Sequence, residues 1–207
     1  MKKIVIIDYK LGNTLSLQRA LSYLNFKSEI TNDKKKILDA DKIILPGVGA
    51  FPVAMAYLES FDLVFAIREF AKKGNDILGI CLGMQLLMNN SDEFGYTKGL
   101  GLIDGNVDII SKNESKSIIK LPSIGWYELR KKKNDLIFND VPPSHWFYFV
   151  HSFKVNCSSE EHILAKYSYS NIEIIAAIRD KNILGVQFHP ENSGKEGLKI
   201  LNNFCNA

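Results

Sequence analysis

One cysteine of this chain stands in a context that favours nucleophilic chemistry. Cys81 is the middle residue of the segment 79–83, Gly-Ile-Cys-Leu-Gly, which closes a short apolar run. This is the sulfur counterpart of the Gly-x-Ser-x-Gly elbow, a tight strand-to-helix turn that needs small neighbours. A helix N-terminus favours the thiolate, and the Leu82 N–H is expected to face the same cavity and stabilise an oxyanion. Cys157 and Cys205 lack such a setting, so we interpret them as buried small hydrophobic residues.

A thiolate nucleophile also needs a general base and a group that orients the base. His189 ends an apolar run, Pro190 turns the chain, and Glu191 comes two residues after the histidine. A histidine beside a carboxylate in a loop would be an ordinary surface feature without the buried strand before it. Because the carboxyl ends of parallel strands share one edge of a sheet, Cys81 and His189 can meet there across 108 residues of sequence. The sequence therefore predicts Cys81, His189 and Glu191 as nucleophile, base and orienting acid.

A third segment, Pro46-Gly47-Val48-Gly49, follows another predicted strand at the same edge. Two glycines around one valine allow a peptide group to turn its N–H towards a developing negative charge. Taken alone, such a segment is most often an ordinary turn. It supports an active site only together with the cysteine elbow.

The elements that would position these residues alternate between strand and helix over the first 90 residues. Strands are predicted at Lys3–Asp8, Lys27–Thr31, Lys42–Leu45 and Asp76–Ile80, and helical segments at Leu15–Leu24, Ile37–Asp41, Phe51–Glu59, Asp62–Lys73 and Gly83–Asn90. In the second half, strands are predicted at Val107–Ile110, Gly125–Leu129, Trp146–Val150, His162–Tyr169, Ile174–Arg179 and Ile183–Phe188, and a closing helix at Ser193–Cys205 with Ser193 as N-cap. The expected fold class is α/β: a single domain over residues 1–207, with a central, mostly parallel sheet flanked by helices and an added antiparallel portion.

Composition narrows the function classes. The chain has 207 residues, 46% of them hydrophobic, which suits one globular domain and excludes disorder as the main state. A net charge of +3 is too small to argue for a nucleic-acid or membrane partner. No apolar run approaches the roughly 20 residues that span a bilayer, so we expect a cytoplasmic protein. The three cysteines show no CxxC or metal-ligand spacing, so we expect no disulfide framework, no metal and no cofactor.

Together, the segments Pro-Gly-Val-Gly, Gly-x-Cys-x-Gly-Met-Gln and His-Pro-Glu resemble the class I, triad-type glutamine amidotransferases in order and spacing. The resemblance covers most of the chain. It implies that glutamine is hydrolysed to glutamate and ammonia through a thioester on Cys81. It also implies an oxyanion site at the N–H of Leu82 and, after a local rearrangement, of Val48. The positions implied to hold the amino-acid end of glutamine are Gln85 and the backbone near Gly49, His151 and Ser152, so that His151 lines the site without titrating in catalysis.

Other residues resemble one branch of that family, the glutaminase subunits that pass ammonia to a separate (β/α)8-barrel synthase in histidine biosynthesis. They are Asp8-Tyr9, Gly12-Asn13, Gly125-Trp126 and the segment 148–153, Tyr-Phe-Val-His-Ser-Phe. The resemblance implies a heterodimer, with Asn13, Trp126 and Tyr148 towards the partner. In the aromatic run from residue 146 to residue 149, alternate side chains are expected to face the core and the partner.

Two departures from that branch concern the partner. Where the family has Pro-His-x-Gly-Trp-Asn, residues 122–127 read Pro-Ser-Ile-Gly-Trp-Tyr, and Asn192 stands where the family has a lysine that contacts the barrel. We expect both sites on the partner-facing side. They leave open a paralogous subunit that supplies ammonia to a sugar amidotransferase in surface glycan biosynthesis.

Two further classes remain to be weighed. A glutaminase-like binding module without turnover is disfavoured by the complete set of Cys81, His189 and Glu191. A cysteine peptidase or hydrolase with a similar elbow would lack the Gly-Met-Gln sequel and the terminal His-Pro-Glu. Ammonia release from glutamine without peptide cleavage separates the peptidase from the amidotransferase.

Overall fold

The computed structural model of the protein describes residues 2–111 and 119–207. The helices are α1 (Thr14–Tyr23), α2 (Lys34–Leu38), α3 (Phe51–Ser60), α4 (Leu63–Lys72), α5 (Leu82–Leu86) and α6 (Gly194–Asn206). The strands are β1 (Ile4–Ile7), β2 (Ser28–Thr31), β3 (Lys42–Leu45), β4 (Asp76–Ile80), β5 (Asn90–Ser91), β6 (Thr97–Lys98), β7 (Gly105–Ile109), β8 (Ser123–Glu128), β9 (Arg130–Lys131), β10 (Trp146–His151), β11 (Phe153–Cys157), β12 (Ile163–Tyr169), β13 (Ile172–Asp180) and β14 (Ile183–Val186).

The central sheet has eight strands in the order β2-β1-β3-β4-β14-β13-β12-β9. From β2 to β14 the neighbours pair in parallel, and from β14 to β9 they pair antiparallel. The predicted mostly parallel sheet with an antiparallel portion is therefore confirmed. Strand β4 pairs with β14 so that Ile80 lies opposite Val186, which brings the residues after both strands to the same edge.

Helices cover both faces of this sheet, because successive side chains of a strand point to opposite sides. Ile4 and Ile6 pack in one cluster with buried residues of α1 and α6, whereas Val5 and Ile7 pack in the other with α3 and α4. A strand buried on both faces has no polar alternation, which explains the continuous apolar run at Ile4–Ile7.

Two smaller sheets complete the fold. Strand β10 pairs with β8, and a four-stranded sheet has the order β11-β7-β5-β6. The sequence analysis missed β11, β9 and the two-residue strands β5 and β6. Strand β11 begins directly after Ser152, and its five residues pair antiparallel with β7.

The helix predicted at Gly83–Asn90 is shorter in the structure, where α5 ends at Leu86. The carbonyl groups of residues 86–89 accept hydrogen bonds from the N–H groups of residues 99–103, so they are not available to continue the helix. Helix α2 also differs from the prediction: it starts at Lys34, because the Asp33 carboxylate caps the N–H groups of Lys35 and Lys36.

Ser193 occupies the N-cap position of α6 as predicted, although its hydroxyl makes no capping hydrogen bond there. The hydroxyl bonds instead to the strand and the loop beside it. In the two described stretches, none of the helices combines the length and apolar character that a bilayer crossing demands.

Candidate active site

Cys81 sits on a strained turn between β4 and α5, with φ 55° and ψ −113°. A Cβ atom on Gly83 would lie 1.8 Å from the Leu45 carbonyl oxygen, and one on Gly79 would lie 2.7 Å from the Gly83 oxygen. Both distances are far below van der Waals contact. The expectation that the flanking glycines make room for the elbow is therefore confirmed, and the reason is the close approach of the elbow to itself and to β3.

The Cys81 thiol is buried at the carboxyl edge of the central sheet, with 6% of the residue exposed. Its backbone N–H donates to the Val186 carbonyl at 2.8 Å, so the turn continues the pairing of β4 with β14. The sulfur accepts a long hydrogen bond from the Gln187 amide at 3.7 Å and lies 3.9 Å from the Val150 carbonyl oxygen. The thiol thus lies between the end of β14 and strand β10.

His189 and Glu191 form a buried pair beside this thiol. The His189 Nδ1 lies 2.8 Å from a Glu191 carboxylate oxygen, because the 3-10 turn at Pro190–Asn192 folds the carboxylate back to the ring. Burial by itself lowers the pKa of His189, but hydrogen bonding and charge interactions with Cys81 and Glu191 outweigh it and raise that pKa to about 10. Since Nδ1 is bonded to Glu191, the nitrogen left to meet the thiol is Nε2.

The Nε2 atom of His189 is buried and has no hydrogen-bond partner of good geometry within residues 2–111 and 119–207. The Cys81 sulfur is near enough to help raise the pKa of His189, and a small movement of either side chain is needed to align donor and acceptor. The sequence-predicted nucleophile, base and acid are brought together at one edge of the sheet.

His151 lies in the same cavity but has a different environment. Its Nδ1 donates to the Phe153 carbonyl at 2.7 Å, so its Nε2 accepts from the Tyr167 hydroxyl at 2.8 Å. The Tyr167 hydroxyl in turn contacts the Ser123 hydroxyl at 3.3 Å. Burial lowers the pKa of His151 to about 4, with a further lowering by His189. This imidazole is neutral at neutral pH and is held in one tautomer.

The segment 46–49 is fixed at one end and free at the other. The buried Tyr9 hydroxyl donates to the Pro46 carbonyl at 2.7 Å, and a Cβ on Gly47 would lie 2.5 Å from that same hydroxyl. Val48 is exposed, and Gly49 has φ +94° with open space around its Cα. The N–H of Val48 belongs to the Gly47–Val48 peptide, so it lies between the closely packed Gly47 and the exposed side chain of Val48.

A cavity of about 520 Å³ opens at the thiol. Eight of the residues that line it were predicted as site residues: Val48, Gly49, Cys81, Leu82, Gln85, His151, Ser152 and His189. Glu93 also lines the cavity. Gly47 stands behind this lining, packed against Tyr9 and Leu82. The amide nitrogen of Gln85 is already bonded to the Phe153 carbonyl and to the Gln187 side chain, which leaves the Gln85 Oε1 as its free group.

Glu93 is a charged residue of this cavity that the sequence analysis missed, as it also missed the neighbouring Phe94. It is the one acidic side chain among the described lining residues, is 9% exposed, and accepts the Phe51 N–H at 2.7 Å. Burial raises the pKa of its carboxyl. Its sequence neighbourhood offered no signal, because it lies in a polar turn after β5, beyond the helix predicted at Gly83–Asn90. Only the early end of α5 turns this segment towards the thiol.

The residues expected towards a partner lie on two elements and a turn. Trp126 on β8 is 47% exposed, and its ring centroid lies 6.0 Å from that of Tyr148 on β10. Asn13 is exposed in the turn before α1. On β10 the buried residues are Phe147, Phe149 and His151, so the expected alternation between core-facing and outward side chains is confirmed for the aromatic run.

The first departure, at residues 123 and 127 of the segment 122–127, lies elsewhere than expected. Ser123 is fully buried, and the Tyr127 ring packs against Phe149, Tyr167 and Tyr169. These two side chains face the interior because β8 alternates, with Ile124 and Trp126 on its outer side. Asn192, in contrast, is exposed. Among the described residues, no group of three or more His, Cys, Asp or Glu side chains is arranged to hold a metal ion.

Comparison with known proteins places this geometry in a family. The family model "Glutamine amidotransferase class-I" matches residues 5–207. The chain is 45% identical to the imidazole glycerol phosphate synthase subunit HisH of Listeria monocytogenes, over 97% of this chain and 94% of that protein. It is 44% identical to the subunit of the same name from Moorella thermoacetica, over 99% and 94%.

Solved structures share the fold at low sequence identity. A glutamine amidotransferase matches with a TM-score of 0.75 at 16% identity, over 98% of this chain and 97% of that one. A chain of PurLQS from Thermotoga maritima matches with a TM-score of 0.75 at 21% identity, over 100% and 99%. On the strength of the matched family model and of these full-length relatives, the chain belongs to the class I glutamine amidotransferases.

Proposed function

We propose that this protein is the glutaminase subunit of an imidazole glycerol phosphate synthase. It hydrolyses glutamine through a thioester on Cys81 and passes the ammonia to a (β/α)8-barrel cyclase partner with which it forms a heterodimer in histidine biosynthesis. The observation that carries the proposal is a buried thiol beside an imidazole whose other nitrogen is bonded to a carboxylate. The near full-length relatives named as subunits of that synthase support the choice of pathway and partner.

In the proposed reaction, the Cys81 thiol gives its proton to His189 Nε2, and the sulfur attacks the side-chain carbonyl carbon of glutamine. The resulting oxyanion is stabilised by the N–H of Leu82. After rotation of the Gly47–Val48 peptide, the N–H of Val48 stabilises it as well. His189 then returns the proton to the amide nitrogen, the C–N bond breaks, and ammonia leaves while Cys81 holds the thioester. A water molecule, deprotonated by His189, attacks the thioester, and glutamate and the thiol are released.

The raised pKa of His189 suits this role, because it favours the imidazolium that forms when the thiol is deprotonated. Glu191 stabilises that positive charge and fixes Nδ1 as the protonated nitrogen, which leaves Nε2 for the thiol. His151 is unsuited to be the base, since its low pKa makes it a weak proton acceptor and both of its ring nitrogens are already hydrogen-bonded.

The amino-acid end of glutamine requires one acceptor for the α-ammonium and donors for the α-carboxylate. Glu93 and the Gln85 Oε1 are the acceptors that the cavity offers. A buried carboxylate next to an ammonium group gains a charge-assisted hydrogen bond. We therefore assign the α-ammonium to Glu93 with Gln85, and the α-carboxylate to backbone N–H groups near Gly49, His151 and Ser152.

Asn192 favours a second candidate partner, a sugar amidotransferase, because it is exposed where the related subunits are expected to carry a lysine. A paralogue that supplies ammonia to a sugar amidotransferase would use the same triad with a different docking face. Mixing the chain with a histidine-pathway cyclase and, separately, with a sugar amidotransferase decides between them. Stimulated ammonia transfer to the cyclase supports our proposal, and stimulation by the sugar enzyme alone overturns the choice of pathway.

The decisive test of the chemistry is Cys81→Ala in the complex with the cyclase. We expect glutamine-dependent synthesis to be lost, because no nucleophile remains, and ammonia-dependent synthesis to be retained, because the partner is untouched. Cys157→Ala is the matched control, since burial raises the pKa of that thiol to about 11 and it lies on β11 outside the cavity lining. Normal use of glutamine by the Cys81→Ala complex would contradict the assignment of the nucleophile.

A further inference from the structure

Three hydrogen bonds connect the base His189 to strand β10 and form a closed ring. The His189 N–H donates to the Tyr148 carbonyl at 3.0 Å, and the Tyr148 N–H donates to the Ser193 hydroxyl oxygen at 3.0 Å. The Ser193 hydroxyl donates to the His189 carbonyl at 2.6 Å. We name this arrangement of Tyr148, Ser193 and His189 the three-bond ring. It satisfies both main-chain polar groups of Tyr148 and both of His189.

Only one member of the three-bond ring is a side chain. The Ser193 hydroxyl is buried, with 1% of the residue exposed, and it is both the acceptor for Tyr148 and the donor to His189. A serine at an N-cap position would ordinarily bond to the N–H groups of its own helix, yet Ser193 makes no such bond to α6. Its hydroxyl is therefore used for the base and not for the helix.

The position of Ser193 is set by close packing against α6. A Cβ on Gly197 would lie 2.7 Å from the Ser193 Cβ and 2.1 Å from the Pro190 carbonyl oxygen, so the absence of a side chain at Gly197 lets the turn after His189 sit directly on the helix. The Gly197 N–H donates to the Ser193 carbonyl at 3.2 Å. The hydroxyl is thus held in a fixed place, which a positioning group requires.

The base needs such a support because Nε2, the nitrogen that faces the thiol, has no hydrogen bond among the described residues to hold it in place. His189 is flanked by Cys81 on the elbow, Glu191 on its own turn and the neutral His151 on β10, and the Tyr148 ring centroid lies 6.4 Å from its own. Its Nε2 makes no hydrogen bond of good geometry to any described group. Glu191 moves with the same turn, so it orients the ring but cannot fix the distance from His189 to Cys81.

We propose that Ser193 is a positioning residue of the glutaminase reaction, which holds the His189 backbone on β10 and thereby keeps the imidazole at the Cys81 thiol. This inference rests on the proposed function, in which His189 is the base. Removing the hydroxyl leaves the Tyr148 N–H without its partner and takes one of two donors from the His189 carbonyl, which keeps the Asn192 N–H at 3.1 Å. The turn at residues 189–193 is then held on β10 by the His189 N–H alone, so it can shift relative to the strand. A misplacement of the base by about 1 Å is sufficient to cost roughly 100-fold in rate.

The test compares Ser193→Ala with Asn203→Ala, which removes two hydrogen bonds from α6 to the carbonyl groups of Ile137 and Asn139 and does not touch the base. In the complex with the cyclase, we expect Ser193→Ala to lower the kcat for glutamine roughly 10- to 100-fold with little change in KM, and to leave ammonia-dependent synthesis unchanged. Asn203→Ala is expected to lower the thermal stability and to retain the kcat. Equal kcat values for Ser193→Ala and the unaltered protein would overturn the proposal, as would an equal loss in Asn203→Ala.

A second measurement needs neither the partner nor turnover. The imidazole resonances of His189, assigned by their absence in His189→Asn, are followed by NMR against pH in the free chain. Contact with Cys81 helps to raise the pKa of His189 to about 10, so we expect its titration midpoint to fall towards the ordinary value in Ser193→Ala and to stay in Asn203→Ala. An unchanged midpoint in Ser193→Ala would refute the positioning role. If the unaltered complex does not use glutamine, the proposed function fails, whereas the NMR result still judges Ser193.

Discussion

At the scale of single residues, the two histidines of the cavity show how the environment separates two side chains of one type. Both are buried, which disfavours the charged form of each. His189 is paired with a carboxylate and lies beside a thiol, so its pKa rises to about 10. At His151 burial dominates and the bond to the Phe153 carbonyl opposes it only in part, so the pKa falls to about 4. At neutral pH, only His189 carries a proton that it can give to a leaving group.

A residue-scale prediction concerns Glu93→Gln, which keeps an oxygen for the Phe51 N–H but removes the charge. We expect the KM for glutamine to rise roughly 10- to 100-fold with a small change in kcat, because a charge-assisted hydrogen bond contributes about 1.5–3 kcal/mol to substrate binding. Steady-state kinetics of the complex measure both constants. Glu173→Gln, an exposed position paired with Arg130, serves as the control for loss of one negative charge. A lower kcat at unchanged KM would contradict the binding role of Glu93.

At the scale of elements, the elbow depends on a contact between two strand ends. Gly83 at the start of α5 lies against the end of β3, and no side chain fits between them. The same packing holds the segment 46–49 next to the nucleophile, since that segment begins where β3 ends. The geometry of the thiol and of the oxyanion segment is thus one structural feature and not two.

The corresponding prediction is that Gly83→Ala lowers the free energy of unfolding by about 3 kcal/mol, because its Cβ would lie 1.8 Å from the Leu45 carbonyl oxygen. Gly74→Ala is the control: Gly74 has φ +83° but open space, so backbone strain alone should cost about 1 kcal/mol there. Urea denaturation of both variants measures the difference. Equal losses would mean that the close approach does not limit the elbow.

At the scale of the whole molecule, the site and the proposed partner face are joined by β10. Its inward residues Phe147 and Phe149 pack in the core, its outward Tyr148 contacts Trp126, and the backbone of Tyr148 bonds to the base. A partner that docks on Trp126 and Tyr148 therefore contacts the same strand that supports His189.

The whole-molecule prediction is that Trp126→Ala raises the Kd for the cyclase roughly 10- to 100-fold, since exposed tryptophans at the centre of interfaces contribute about 2 kcal/mol or more. Isothermal titration of the free chain with the cyclase measures it. Phe65→Ala is the control, because Phe65 is also exposed but lies on α4. That helix packs in the hydrophobic cluster of Val5 and Ile7, whereas Phe147 and Phe149 of β10 belong to the cluster of Ile4 and Ile6. Unchanged affinity in Trp126→Ala would contradict the proposed interface and indicate that the cyclase binds another face of the protein.

Several features of the protein could be predicted because they depend on local patterns. The alternation of apolar runs with helical spacing indicated the α/β fold, and the two glycines around Cys81 indicated the elbow, since sterics between near neighbours require them. The aromatic run of β10 showed its two faces through the period of a strand. The shorter α5 could not be predicted, because the competing hydrogen bonds come from residues 99–103.

The sequence by itself determined the fold class and predicted the nucleophile, base and acid in their order along the chain, because each prediction depends on a short segment with its own steric or hydrogen-bonding requirements. The tertiary structure alone decided that Glu93 reaches the cavity, that burial lowers the pKa of His151 and that the Ser193 hydroxyl bonds to the His189 carbonyl instead of capping α6. These outcomes depend on contacts between segments far apart in the chain, and the burial and partners that such contacts create leave no local pattern in the sequence.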